Sequence, residues 1–188
     1  MKVVDNFLPE EYQNALENLL LSTGFAWYLS QATIPKEYQS LFGVDNALDY
    51  MQFTHSFFRE GGVVSEHYGI VSLINYHLML TENINTSSIY RIKANLNTQA
   101  VNYPKDYHYP IHYDVPKELS GVTCVYYVND SDGDTIFFNT TDLKEVNRVT
   151  PKKGRLVYFD NKTLHAGSPP KNSITRCVIN FNFLGEAI

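Results

Sequence analysis

Apolar residues follow two different periods along this chain. In "DNFLPEEYQNALENLLLS", Leu16, Leu19 and Leu20 recur at helical spacing behind Pro9 and a pair of acids, which is how a helix start reads. The stretch 69–83 shows the same period and predicts a second helix. From residue 89 the texture changes to short β-branched and aromatic runs: 89–97, 111–115, 121–129, 134–139, 145–150, 155–160, 163–167 and 175–184. "NDSDGD" at 129–134 and "TPKKG" at 150–154 are the clearest breakers between them. Residues 25–68 are aromatic but follow neither period, with "EGG" at 60–62 as a turn. Eight short strands at this spacing predict a sandwich or barrel, with a double-sheet jelly roll as the leading form. The expected fold class is therefore mainly β with flanking helices (α+β). We expect a single domain over 1–188, with 1–88 as a helical and aromatic cap and support and 89–188 as the core.

Composition narrows the function. The hydrophobic fraction is 44% and the charged fraction 19%, as in an ordinary globular protein. No apolar run approaches the roughly 20 residues of a membrane span, and the N-terminus has acids where a signal peptide needs apolar residues. Two cysteines make no disulfide framework, and together these features lead us to expect a cytoplasmic protein with no membrane partner. Net charge is −5, concentrated in residues 1–90, where three Lys/Arg face ten Asp/Glu; this argues against an obligate nucleic-acid partner.

The candidate chemistry begins in "YHYPIHYDV" at 107–115. On a strand, His112 and Asp114 project from one face, so they can occupy adjacent positions on a metal. His165, in "KTLHAG", is the candidate third ligand. Two histidines and one carboxylate with open positions form the donor set of non-haem Fe(II) oxygenases. Arg176 follows His165 by eleven residues, and alternation places it on one face with Val178 and Asn180. A buried arginine needs a partner, and a dicarboxylate gripped through two hydrogen bonds would supply one.

With these residues in view, the sequence from about Ile89 to Leu184 resembles the Fe(II)/2-oxoglutarate-dependent dioxygenases, within them the prolyl 4-hydroxylase-like group. The pattern His-x-Asp, a distant His, then Arg or Lys about ten residues on, is met by His112, Asp114, His165 and Arg176. "VTCVYYVNDSDGDTIFF", "PKKGRLVYFDN" and "LHAGSPP" are similar to further stretches of that group. Asp132 and Asp134 depart from its Gly-Gly-Glu-Thr stretch, standing at its first Gly and its Glu. The resemblance implies a double-stranded β-helix core with the N-terminal helices packed on one sheet. It implies Fe(II) on His112, Asp114 and His165, and 2-oxoglutarate with its distal carboxylate on Arg176 and Tyr127. Asn97 or Asn95 would meet the inner carboxylate. O2 is the oxidant, and ascorbate is admitted as an accessory reductant. The implied reaction is decarboxylation of 2-oxoglutarate to succinate and CO2 with hydroxylation of a C–H bond, in a peptidyl proline or in a small molecule such as a free amino acid. Because Asp114 is present, halogenation is disfavoured.

Blander readings stand beside this one. With six histidines in the chain, a lone His-x-Asp is readily a solvated strand edge, and it is the full set that argues for a metal. His108 and His112, four apart, imitate a helical zinc pair, but Pro110 between them opposes a helix. Tyr127 competes with a plain core role, and Tyr126 must face the other way. Cys124 and Cys177 read as buried thiols. "NDSDGD" is acid-rich, but it lacks the terminal Glu of a calcium loop. The rival from another class is a jelly-roll binding or structural protein without catalysis.

Overall fold

The computed structural model describes residues 1–32, 51–100, 104 and 106–185. Strands are β1 (Lys2–Val4), β2 (Tyr28–Ser30), β3 (Gln52–Arg59), β4 (Gly62–Val63), β5 (Ile89–Thr98), β6 (Gly121–Tyr127), β7 (Thr135–Phe138), β8 (Glu145–Val149), β9 (Leu156–Asp160), β10 (His165–Gly167) and β11 (Thr175–Leu184). Helices α1 (Glu10–Leu20) and α2 (Tyr68–Glu82) lie where the apolar period places them. The larger sheet runs β1-β9-β6-β11-β5-β3-β2 with β4 on β3, and the smaller β10-β7-β8. Every pairing is antiparallel, as a jelly roll requires.

Alternation decides what each face of the larger sheet does. On β11, Cys177, Ile179, Phe181 and Phe183 join Cys124 and Tyr126 of β6 and Ile92 and Ala94 of β5 in one cluster. Leu16 and Leu20 of α1, and Val71, Ile74 and Leu78 of α2, close that cluster from outside. The opposite face carries Val125, Tyr127 and Val178, which pack with Phe137 of the smaller sheet. At one end the space between the sheets is therefore filled by apolar side chains, and elsewhere polar positions of the same strands line a cavity. Cys124 and Cys177 are free and buried, and burial pushes both thiols far up. Among the described residues no helix is long and apolar enough to cross a membrane.

One expectation is corrected. The run 111–115 forms no strand; His112 makes a single antiparallel bridge to His165. Pro110 and Pro116 flank it, and a residue without an N–H cannot continue a ladder. Besides α1 and α2, the first 88 residues, expected as a helical and aromatic cap and support, supply β1 to β4 of the larger sheet. β3 escaped notice because its buried positions include Gln52 and His55, and because a bulge between Ser56 and Phe58 breaks its period. His55 is buried without cost because its ring nitrogens meet the Ala26 carbonyl and the Ser65 hydroxyl, each at 2.7 Å. The "EGG" turn is confirmed: Glu60 and Gly61 both take positive φ, 53° and 77°, as a two-residue hairpin demands. Within 25–68 the span 33–50 lies outside the described residues, as do 101–103 and 105 of the loop before His112.

Asp132, one of the departures from the family stretch, ties the turn between β6 and β7 to the loop before β11. Its carboxylate accepts hydrogen bonds from the backbone N–H of Lys171 (3.1 Å), Asn172 (2.8 Å) and Ser173 (3.1 Å), and from the Asn172 side chain (2.7 Å). Partial burial opposes ionisation, but the bonds from Ser173 and Asn172 outweigh it and hold the carboxyl at about 2. Because the folded value lies below the unfolded one, the stabilisation is complete above pH ~4 and is lost as pH falls through about 2. Asp132→Asn is expected to lower stability at pH 7 by about 1 kcal/mol, because solvent screens part of the carboxylate's charge. Urea unfolding between pH 7 and pH 2 checks this, since the variant should lack that part of the acid sensitivity.

Candidate functional site

His112 and His165 are brought together by their backbone bridge: His112 N–H donates to the His165 carbonyl at 3.0 Å, and His165 N–H returns the bond at 3.2 Å. Asp114 follows two residues after His112, where the chain bends. One ligand atom from each of the three side chains lies within 4.8 Å of the others. Both imidazoles are oriented from behind, His112 Nδ1 on the Pro110 carbonyl (2.9 Å) and His165 Nδ1 on the Thr163 carbonyl (3.0 Å). A carbonyl only accepts, so each Nδ1 carries the proton and each Nε2 presents a lone pair to the centre.

The carboxylate completes a set with no donor in it. Asp114 Oδ2 lies 3.4 Å from His165 Nε2, is buried, and has no hydrogen-bond partner. Oδ1 accepts from Arg91 Nη2 at 3.1 Å, and the same nitrogen reaches the Asp114 carbonyl at 3.1 Å. Arg91 Nε in turn donates to Asn182 Oδ1 at 3.2 Å, and Asn182 to the Thr123 hydroxyl at 3.1 Å. Burial opposes ionisation of Asp114, but with the Arg91 guanidinium on Oδ1 its carboxyl is held far below the usual range. Burial and the neighbouring His165 pull His112 down to about 4, so its ring is neutral at pH 7. Three lone-pair atoms facing one another need a cation between them, and a divalent metal fits.

A second pole lies in the same cavity. Arg176 is 5% exposed, and no carboxylate bonds to it among the described residues. Nε donates to the Gly133 carbonyl (2.6 Å) and Nη2 to the Thr135 hydroxyl (2.9 Å), and its carbon lies 6.0 Å from the Tyr127 ring centre. Tyr127 is wholly buried behind this group and donates its hydroxyl to Thr135 Oγ1 at 2.7 Å. Thr135 lines the cavity, and Tyr127 reaches it through that bond. Asn97 pairs with Arg176 across the strands, and its Nδ2 is buried without a partner. Gly133 is fixed by close approach: a Cβ there would stand 2.6 Å from the Ser168 carbonyl oxygen and 2.8 Å from Arg176 Cδ.

The cavity holding both poles measures about 1100 Å³. Besides Asn97, its walls include Asn95 and Asn180, each with an unpartnered Oδ1. Lys93 lines it too; burial, and after it the Arg91 charge, pull the Lys93 ammonium down to about 8. The structure thus gathers His112, Asp114 and His165 at one place and sets Arg176 and Asn97 in the same cavity. His108 stays outside, its Nδ1 on the Tyr109 carbonyl (2.7 Å) and its ring against Phe138. Arg91, Lys93 and Thr135 were missed by sequence reasoning. The signal was there for the first two, because they share the parity of Asn95 and Asn97 on β5.

With that geometry in hand, comparison with known proteins points the same way. Residues 98–184 match the model of the 2OG-Fe(II) oxygenase superfamily. The matched stretch carries His112, Asp114, His165 and Arg176. No curated protein matches it in sequence. Among solved structures it is similar to a Pseudomonas putida prolyl-4-hydroxylase at 16% identity and a TM-score of 0.57, covering 97% of this chain and 91% of that one. A Trichoplax adhaerens prolyl hydroxylase, solved with a hypoxia inducible factor peptide fragment, gives 12% and 0.62 over 97% and 82%. The alpha-ketoglutarate-dependent epimerase SnoN of nogalamycin biosynthesis gives 10% and 0.62 over 97% and 77%. At these identities the likeness is one of fold. The superfamily makes the chain an oxidoreductase, and its members use Fe(II), 2-oxoglutarate and O2.

Gly133→Ala is the expected way to disturb one pole and spare the other. Its methyl group would displace Arg176 from the Gly133 carbonyl, a charge-assisted bond whose loss costs about 1.5–3 kcal/mol. 2-Oxoglutarate affinity should fall by about tenfold or more, while Mn(II) affinity stays within threefold; calorimetric titration of each checks this.

Proposed function

We propose that this oxygenase hydroxylates a C–H bond of its substrate, with residues from 89 onward carrying the chemistry and 1–88 supporting them. One observation carries the reading: a donor-free His/Asp/His set and a buried guanidinium without a carboxylate share one cavity. His112, Asp114 and His165 would hold Fe(II) through three ligand atoms, leaving positions for a chelating co-substrate and O2. When bound, the iron with 2-oxoglutarate and O2 supplies oxidative decarboxylation to succinate and CO2 coupled to oxidation of the substrate.

The chain's own residues do the rest. Arg176 would take the distal carboxylate of 2-oxoglutarate through its fork, the interaction that repays burying a guanidinium. Thr135, held by Tyr127, sits beside it as a hydroxyl partner, and Asn97, which pairs with Arg176 across the strands, would turn its free Nδ2 to the co-substrate. Asp114 stays ionised and His112 neutral at pH 7, so both meet a metal without first shedding a proton.

For the substrate, the fold likeness to prolyl hydroxylases favours peptidyl proline as the first candidate. One observation favours a small acid instead. Among the described residues lining the cavity, Arg91, Lys93, Lys117 and Arg176 face only Asp114 and Glu118 as fixed acids. Metal and co-substrate cancel in charge, so the walls keep an excess of positive charge for an anion.

Anaerobic addition of Fe(II) and 2-oxoglutarate to metal-free protein is expected to give the weak visible band of the chelate, and His112→Ala should abolish it. Arg176→Ala should weaken 2-oxoglutarate at least tenfold and leave iron binding unchanged. Iron binding without the band in the wild type would turn the assignment to a non-catalytic jelly roll. Mass spectrometry of proline peptides against free amino acids, read as a gain of one oxygen with matching succinate, separates the two substrate readings.

A further inference from the structure

We propose that Lys93 is a second anchor for the co-substrate, taking the 2-oxoglutarate carboxylate nearest His112, Asp114 and His165. This rests on the proposed function and extends it to a residue outside the metal and Arg176 sites. The inward positions of β5 run Arg91, Lys93, Asn95, Asn97. Arg91 is fastened to Asp114, and Asn97 pairs with Arg176. Lys93 is thus one step, about 7 Å, from the residue that holds the carboxylate ligand, and about 13 Å along the strand from the level of Arg176. Lys93 and Arg176 line the same cavity as the three ligands, so their long side chains can lean toward the two ends of one diacid.

Lys93 also lacks any other use. It makes no ion pair or side-chain hydrogen bond among the described residues. It lines the cavity, its charge acts on both His112 and Asp114, and on β11 it pairs with Asn180, whose Oδ1 is unpartnered. Arg91 spends its charge on Asp114, so it cannot also hold an incoming anion there. A cation beside a metal site repels the metal, so a lysine in this place needs an anion that arrives with it. The five-carbon diacid, with Arg176 at its far end, is that anion.

The test follows from this opposition of signs. On the full-length protein, Mn(II) affinity is measured first, and then 2-oxoglutarate affinity on the Mn(II)-loaded form, both by calorimetry. Lys93→Met should weaken 2-oxoglutarate at least tenfold and leave Mn(II) binding unchanged or tighter, and Lys93→Arg should restore the diacid to within threefold of the wild type. A 2-oxoglutarate affinity within twofold of wild type in Lys93→Met would overturn the proposal, as would a parallel loss of both ligands, which marks a structural role. If wild-type protein holds Mn(II) but no 2-oxoglutarate, the proposed function itself falls.

Discussion

The pairing of β11 between β5 and β6 is the constraint on which the rest of the molecule depends. Successive residues of a strand face opposite sides, and three adjacent strands in register make two surfaces of opposite character. One is Cys177, Ile179, Phe181 and Phe183 with their neighbours, sealed by two helices. The other is Arg176, Asn180 and Asn182 beside Arg91, Lys93, Asn95 and Asn97. A slip of one residue would send the guanidinium into the helix-covered core and the phenylalanines into the cavity. The apolar face therefore fixes the register that positions the chemistry.

The candidate metal ligands are held by a different device, which explains why no long strand is needed beneath them. His112 and His165 share two backbone hydrogen bonds, and each ring is braced by the carbonyl two residues before it. Asp114 is braced from the sheet by Arg91, through a chain that continues to Asn182 and Thr123. Arg91 occupies Oδ1 and so leaves Oδ2 to face His165. The larger sheet thus reaches the metal site through a guanidinium, and the smaller sheet reaches it through β10.

How far this was legible in the sequence follows from the same physics. Strands 121–129 and 175–184 were plain because their two faces are both well packed or polar without interruption. The four candidate residues His112, Asp114, His165 and Arg176 were singled out by spacing, and backbone pairing converts that spacing into proximity. β3 was hidden because a buried, fully bonded His55 looks polar in a sequence. Tyr127 was legible as inward-facing, but its bond to Thr135 depends on where β7 crosses β6, which no local pattern records. Asp132 and Asp134 read as departures, and the fold uses both: Asp132 clamps residues 171–173, and Asp134 pairs with Arg148 at 3.0 Å. Replacing a glycine by a carboxylate at 132 exchanges backbone freedom for a fixed loop, and that loop leads directly into the strand bearing Arg176.

The cavity holds polar atoms that the protein does not satisfy: Asp114 Oδ2, Asn95 Oδ1, Asn97 Nδ2 and Asn180 Oδ1. Leaving a buried group unpaired costs about 1–3 kcal/mol. A chain selected for stability alone would fill these positions with valine, as it does at Val125 and Val178 on the neighbouring levels. The polar row is instead kept where the metal and a dianion would lie, and it is bordered by cations without acids of their own. Ligand binding would then return free energy that folding left uncollected, so the liganded state is more stable than the free protein by linkage. The same positions that make the empty core costly are the ones that make it selective for a charged, chelating diacid over an apolar guest.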